Sequence, residues 1–366
     1  MTVLGTRPEI IRLSRIIPAL DAAAEHIVVH TGQNDQPSLN DVFFDDFSLR
    51  RPDRWLGIAD RSLGRQLARL FEGVDSALTE IRPDRVLVLG DTNSALSVIL
   101  AKRRGIPVLH MEAGNRCFDD RVPEEVNRRL IDQASDILLP YTERSRANLL
   151  REGIAGERIF VTGNPIAEVL HQHADRIARV DIGEAHGVAP SGFLLVTLHR
   201  AENVDRPARL AGLFDGVARA ADRLGLPALV STHPRTRDRL QEAGYAPPGS
   251  VRLLEPLGFI DFVALERAAR VVLTDSGTVQ EECTILGVPA LTLRDVTERP
   301  ETVECGANIL AGADPERIAT LASHVSARKP SWQAPPDYLR TNVTETVVNI
   351  AVGHHHGLWR TANAET

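Results

Sequence analysis

The sequence predicts an α/β protein built as two doubly wound parallel-sheet domains, and three observations carry that reading. Short strands rich in Val, Ile and Leu alternate with amphipathic helices from one end of the chain to the other, the pattern of parallel sheets covered on both faces. The 366 residues are long for one core and comfortable for two. Most strand ends run into clusters of Gly, Asp, Asn, His and Arg, where parallel sheets place their ligands.

The first series of strands is expected at Thr2 to Leu4, Ile27 to His30, Val86 to Leu89, Pro107 to Met111, Ile137 to Leu139 and Ile159 to Thr162. The second is expected at Phe193 to Thr197, Ala228 to Ser231, Val251 to Leu254, Val271 to Leu273 and Pro289 to Leu293. Each is a short apolar run, as burial on both faces requires. The polar stretch Asp175 to Ser191, with Gly183, Gly187 and Pro190, is the best boundary and divides the chain into domains at 1–174 and 175–337. Tyr338 to Val352 reads as a helix with Val343, Val347, Val348 and Ala351 on one face, so residues 338–366 are expected to cross back to the first domain. Met1 to Leu4 is a short lead into the first turn, as though a few residues once preceded it.

Hydrophobic residues at 43% and charged residues at 25% are ordinary for a soluble globular protein, and the net charge of -7 argues against nucleic-acid or membrane-surface partners. No apolar run reaches the length of a membrane span and MTVLGTRPE lacks a signal-peptide pattern, so a cytoplasmic protein is expected. Cys117, Cys283 and Cys305 are too few and too scattered for a disulfide framework or a metal cluster. Lys102 and Lys329 are the only lysines among 42 basic residues, a bias that lets arginine stand where lysine would serve. The run His354 to His356, followed by Gly357-Leu358-Trp359, fits a surface turn better than a tag or metal site.

The stretch Arg270 to Pro289 is the most informative. A strand breaks at Thr274-Asp275-Ser276-Gly277 and runs into a helix from Val279 to about Leu286. Small residues there leave the first N–H groups of the helix open to an anion, which also meets the positive end of the dipole. Glu281 and Glu282 on the first turn could accept hydrogen bonds from sugar hydroxyls. The plainer alternative is that Asp275 or Ser276 merely caps the helix.

Other strand ends supply acids and cations. They are Gly5-Thr6-Arg7-Pro8-Glu9 with Arg12, then Gly90-Asp91-Thr92-Asn93, then Glu112-Ala113-Gly114-Asn115-Arg116. The next helix opens Pro123-Glu124-Glu125-Val126-Asn127-Arg128, with Glu124 and Arg128 four apart on one face. Structural alternatives are open for each: Asp91 as a cap, Glu112 paired with Arg116, and Glu124 with Arg128 as a solvated pair. The second domain adds His199-Arg200-Ala201-Glu202-Asn203, His233-Pro234-Arg235, the aromatic Phe262, and a loop dense in arginine and carboxylate from Arg294 to Glu301 that includes Arg299.

The motifs GTRPEII, TGQN, GDTNS, HMEAGNR, PEEVNRR, TGNP, TLHRAEN, STHPRT, EPLG, TDSGTVQEEC, RDVTERPE and VECGANIL occur in this order from Gly5 to about Gly312. In this the chain resembles the non-hydrolysing UDP-N-acetylglucosamine 2-epimerases. The resemblance implies a GT-B-like fold of two Rossmann-like domains with the active site in the cleft between them, UDP held mainly by the C-terminal domain, a homodimer and no cofactor. It carries acid–base roles onto Asp91, Glu112 and Glu124, with Arg128 orienting Glu124. Diphosphate contacts fall to Arg7, His199, Ser276 and Gly277, and a ribose contact to Glu282. Arg12, His233, Thr278 and Arg299 are expected near the substrate and Phe262 near the uracil. The family commonly has lysine at Arg12 and TGQH where this chain has TGQN; Asn34 there weighs against the activator site some members use. HMEAGNRCF and TDSGTVQEEC look closer to a subgroup acting on modified N-acetylhexosamines, which leaves the groups at C3 and C6 open.

The implied activity is that of an isomerase interconverting UDP-N-acetylglucosamine and UDP-N-acetylmannosamine. No carbonyl acidifies the C2 proton, so UDP must leave C1 first, giving a 2-acetamidoglucal to which a proton and UDP return. That demands a cationic cradle for the diphosphate and acid–base groups on both faces of C2. The competing readings are a hydrolysing epimerase releasing free N-acetylmannosamine, a glycosyltransferase on the same fold, and a catalytically silent UDP-sugar sensor.

Overall fold

The computed structural model describes residues 1–33 and 37–354. Asn34 and the end of the histidine run, His355 to Trp359, lie outside the described residues. The chain forms two units. One combines Met1–Val169 with the chain from Asp337 onward, and the other is Leu170–Pro336. The divisions fall at 169/170 and 336/337, a few residues ahead of the expected 174/175 and 337/338.

The first unit holds a six-stranded sheet of β1 (Thr2–Leu4), β2 (Val28–His30), β3 (Arg54–Trp55), β4 (Val86–Leu89), β5 (Val108–Met111) and β6 (Ile137–Leu139). Its order is β3-β2-β1-β4-β5-β6 and every pairing is parallel. The second unit repeats the plan with β7 (Leu194–Thr197), β8 (Ala228–Ser231), β9 (Val251–Leu254), β10 (Val271–Thr274), β11 (Ala290–Thr292) and β12 (Asn308–Leu310). Its order is β12-β11-β10-β7-β8-β9, again parallel throughout. Helices lie on both faces of such sheets, so β1, β4, β5, β6 and β10 are buried along their whole length.

Three expectations are corrected. Ile159 to Thr162 does not form a strand; only Ile159 bridges to Leu138. Strands β3 and β12 were not expected, because neither Arg54–Trp55 nor the Asn308 end of Asn308–Leu310 carries an apolar run. The segment after Pro336 is not one helix but a 3-10 turn, Pro336–Leu339, and a helix, Val343–Gly353. The break follows from Arg340, whose guanidinium turns back to the Val161 carbonyl at 2.9 Å and to Asp337 at 2.8 Å.

Each sheet has one point where successive strands depart in opposite directions. In the first it lies between β1 and β4, and in the second between β7 and β10. Loops leaving the carboxyl ends of such a strand pair open a crevice that side chains from both can line.

Candidate active site

In the first unit, Gly5 is required where the β1 and β4 loops meet. A Cβ there would lie 2.1 Å from Ser94 Oγ and 2.2 Å from Thr31 Oγ1. Pro8 follows at the start of the helix Arg7–Leu13, where its missing N–H is no loss. Glu9 on that helix accepts from Gly5 N at 3.0 Å, Thr6 Oγ1 at 2.7 Å and Thr92 Oγ1 at 3.3 Å, tying the two loops together. Burial pushes its carboxyl up to about 7 against those hydrogen bonds. Arg7 lies with its guanidinium 5.7 Å from the Phe43 ring centroid, and burial lowers its pKa.

Leu89 at the end of β4 pairs with Met111 at the end of β5, so Asp91 and Glu112 leave from adjacent strand ends. Arg128 donates to Asp91 Oδ2 from Nε at 3.1 Å and from Nη2 at 2.6 Å, while its Nη1 donates to Glu125 at 2.5 Å. Glu125 is fully buried and also accepts from Cys117 N at 3.0 Å and Phe118 N at 3.1 Å. Arg128 is thus an anchored prop for Asp91, where the sequence suggested one for Glu124. Glu124 is half-buried on the first turn of the helix Pro123–Ala134.

Glu112 is held in a backbone conformation that residues other than glycine rarely adopt, with φ +66°. Such a position costs on the order of 1–3 kcal/mol and persists only where the surroundings enforce it. They do: Glu112 accepts hydrogen bonds from Arg12 and from the Tyr141 hydroxyl at 3.3 Å. Arg12, expected to face substrate, is 3% exposed and lies 5.7 Å over the Tyr141 ring. The alternative pairing of Glu112 with Arg116 is excluded, since Arg116 goes to Asp132 at 2.7 Å and Glu152 at 2.5 Å.

In the second unit the β7 and β10 ends carry His199 and Asp275. Asp275 does not cap the helix. It is fully buried and accepts from His199 N at 3.0 Å, Arg200 N at 3.0 Å and Asn203 Nδ2 at 3.1 Å, with His199 Nδ1 at 3.2 Å. Burial alone would raise its pKa; the His199 charge and these hydrogen bonds outweigh it and hold the carboxyl lowered, at about 2.

With Asp275 so engaged, the helix Gly277–Leu286 begins at Ser276 with no side-chain cap. Its first turn lies against the ion pairs of Glu298 and Arg299. A Cβ on Gly277 would lie 2.7 Å from Glu298 Oε1 and 3.6 Å from the Arg299 guanidinium. Glu298 is paired with Arg294 at 2.8 Å and Arg200 at 3.4 Å, and Arg299 Nε with Glu281 at 2.5 Å. His233 caps the helix Pro234–Glu242 by accepting from Arg235 N at 3.2 Å, and its ring lies 6.0 Å from that of His199. Thr278 is half-buried on the same first turn, Glu282 is 3% exposed one turn on, and Phe262 is half-buried on the helix Phe259–Ala268.

Of the sequence candidates, Arg7, Arg12, Asp91, Glu112, Glu124 and Arg128 fall in the first unit and His199, His233, Phe262, Ser276, Gly277, Thr278, Glu282 and Arg299 in the second. Glu9, Glu125, Tyr141, Arg200 and Arg294 were not singled out. Tyr141 lies two residues past β6, so the rule of strand ends would have found it, as it finds the loop that opens at Arg294, two residues past β11.

Two doubly wound parallel sheets, one with carboxylates at adjacent strand ends beside its switch point and the other with an uncapped helix N-terminus next to Arg299, define a protein for sugar-nucleotide chemistry. The chain belongs to the UDP-N-acetylglucosamine 2-epimerase family, whose model matches residues 19–352. It is 40% identical over 342 residues to the UDP-N-acetylglucosamine 2-epimerase of Methanocaldococcus jannaschii, covering 91% of this chain and 93% of that one. It is 35% identical over 325 residues to the UDP-2,3-diacetamido-2,3-dideoxy-D-glucuronate 2-epimerase of Pseudomonas aeruginosa, covering 88% and 90%. Among solved structures, the Methanocaldococcus jannaschii UDP-GlcNAc 2-epimerase in complex with UDP-GlcNAc and UDP matches with a TM-score of 0.89 at 39% identity, covering 95% of this chain and 98% of that one. The fold is GT-B-like, with two Rossmann-like units, and the enzyme is an isomerase. Among the described residues no helix is long and apolar enough to cross a membrane.

Proposed function

We propose that the protein inverts C2 of a UDP-N-acetylhexosamine by the non-hydrolysing route, interconverting UDP-N-acetylglucosamine and UDP-N-acetylmannosamine. The observation that carries this reading is the pair Asp91 and Glu112 on adjacent strand ends, each held by its own buried arginine. UDP leaves C1 with its bonding electrons, and a carboxylate takes the proton from C2, giving 2-acetamidoglucal and UDP. A second acid returns a proton to the opposite face of C2 while UDP re-adds at C1, so atoms and charge balance.

Asp91, Glu112 and Glu124 supply the acid–base groups, and Arg12 and Arg128 keep two of them in place. Gly277 and Thr278 offer helix N–H groups to the diphosphate and Ser276 its hydroxyl, with Arg7 and Arg299 adding positive charge and His199 and His233 adding ring-nitrogen hydrogen bonds. Glu282 takes the ribose hydroxyls and Phe262 lies toward the uracil. No metal or cofactor enters this chemistry, and the protein works as a cytoplasmic homodimer.

The test is UDP-N-acetylglucosamine incubated in heavy water and followed by NMR. UDP-N-acetylmannosamine is expected with deuterium at C2 and no free sugar. A C2 proton that survives turnover refutes the mechanism, and release of free N-acetylmannosamine with UDP assigns the hydrolysing route. Asp91→Asn and Glu112→Gln should each lower C2 exchange by about 100-fold or more, the usual contribution of a positioned acid or base, with UDP affinity retained. The Pseudomonas aeruginosa relative favours a second substrate for the same reaction, since a 3-acetamido uronate leaves C1 and C2 unchanged. Both sugars belong in one competition assay.

A further inference from the structure

We propose that Asn127 is a positioning residue for the reaction: its amide fixes the main chain of Asp91, as Arg128 fixes the side chain. The inference rests on the acid–base role given to Asp91 above. Asp91 sits in the turn between β4 and the short 3-10 helix Asn93–Ser97, just after Gly90 at φ +74°. Asn127 Nδ2 donates to the Asp91 carbonyl at 3.0 Å and to Asn93 Oδ1, two residues on, also at 3.0 Å. One amide thus spans the turn that carries the carboxylate.

A carboxylate on a short side chain can lose its place in two ways, by rotating about its own bonds or by travelling with its backbone. Arg128, donating twice to Asp91 Oδ2, restrains the rotation. It restrains the backbone poorly, because a long, many-jointed side chain can follow a moving partner. Asn127 adds the missing restraint from the adjacent position on the same helix, Pro123–Ala134, so one rigid element grips Asp91 at both its main chain and its side chain. Other groups brace the flanking residues. His110 Nε2 donates to the Gly90 carbonyl at 2.8 Å, Thr92 Oγ1 to Glu9 at 3.3 Å, and Asn93 Nδ2 to Gln66 Oε1 at 2.7 Å. Proton transfer needs the base within hydrogen-bond reach of the proton it removes. A turn held at Gly90, Asp91, Thr92 and Asn93 provides that placement before substrate arrives.

The experiment follows C2 deuterium exchange of UDP-N-acetylglucosamine in a double-mutant cycle of Asn127→Ala and Asp91→Asn. Asn127→Ala should lower kcat by about tenfold, inside the roughly 100-fold that a misplacement of about 1 Å can cost, with KM and UDP affinity close to wild type. The double variant should exchange no more slowly than Asp91→Asn alone, since a residue acting only through Asp91 then has nothing left to position. An unchanged kcat in Asn127→Ala overturns the inference. So does a double variant that shows the full product of the two single losses, the result of a purely structural part or of a separate contact with substrate. Should Asn127→Ala not fold, Asn127→Leu, which keeps the bulk and removes the donor, takes its place with the same readings. Exchange at the wild-type rate in Asp91→Asn instead overturns the acid–base role of Asp91, whatever Asn127→Ala does, and the inference with it.

Discussion

Arg12 and Glu112 are 100 residues apart in sequence and meet as a buried ion pair, with side-chain exposures of 3% and 5%. Taking both charges out of water is expensive, so the pair is poor evidence for stability in itself. Its value is positional: a carboxylate at φ +66° keeps one orientation because the guanidinium and the Tyr141 hydroxyl allow no other. Removing only the cation leaves a buried acid without its counter-charge, which typically costs about 3–5 kcal/mol. Arg12→Met should therefore lower thermal stability markedly and also lower C2 exchange. Arg12→Lys keeps the charge but loses the planar fork, and should recover more stability than exchange rate. Thermal unfolding and deuterium incorporation, measured on both variants, check this. Equal recovery of both quantities by lysine would leave only a charge requirement.

At the scale of elements, Glu9 links the β1 and β4 loops and gives the switch point a pH dependence. Its folded pKa of about 7 lies above the ordinary value of 4.5. Between those values the unfolded chain has released its proton while the folded protein keeps it, so stability falls as pH rises from about 4.5 to 7. The loss amounts to about 3 kcal/mol and is complete above the folded value. Glu9→Gln cannot ionise, and its stability relative to wild type should rise through that window and level off above it. Denaturant unfolding at a series of pH values reads this directly, and parallel curves for the two proteins would contradict it. The strands themselves were legible where apolar residues dominate the run: Thr2–Leu4, Val86–Leu89, Ile137–Leu139 and Ala228–Ser231 fall where the sequence places them, and so does Val251–Leu254 despite Arg252. Strand β12 was not, because Asn308 is a polar residue whose burial depends on hydrogen-bond partners outside the strand, Thr292, Gln280 and Thr302. The candidate site shows the same division. Its residue types follow from the strand ends, whereas the choice of Glu125 as a partner for Arg128, the true occupation of Asp275, and the backbone of Glu112 depend on three-dimensional neighbours that no local pattern encodes.

For the molecule as a whole, the decisive feature is that the chain leaves its first unit at Val169 and returns to it at Asp337. The returning segment is structural. Tyr338, Val343 and Val347 are buried, and Glu168 receives Thr344 N at 3.1 Å at the start of the last helix, satisfying a donor that the helix cannot. Arg85 closes the far end by donating to the carbonyls of Ile350 and Ala351. Burying three such side chains contributes on the order of 1.5–3 kcal/mol each, a large share of the roughly 5–15 kcal/mol that holds a typical domain folded. A chain ending at Pro336 should therefore keep a protease-resistant core from 170–336 while residues 1–169 are cleaved at low protease concentration. Limited proteolysis with mass spectrometry of the fragments distinguishes the outcomes. Equal resistance of both regions would mean that the first sheet and its own helices suffice, and that the returning helix serves something other than the stability of the unit it rejoins.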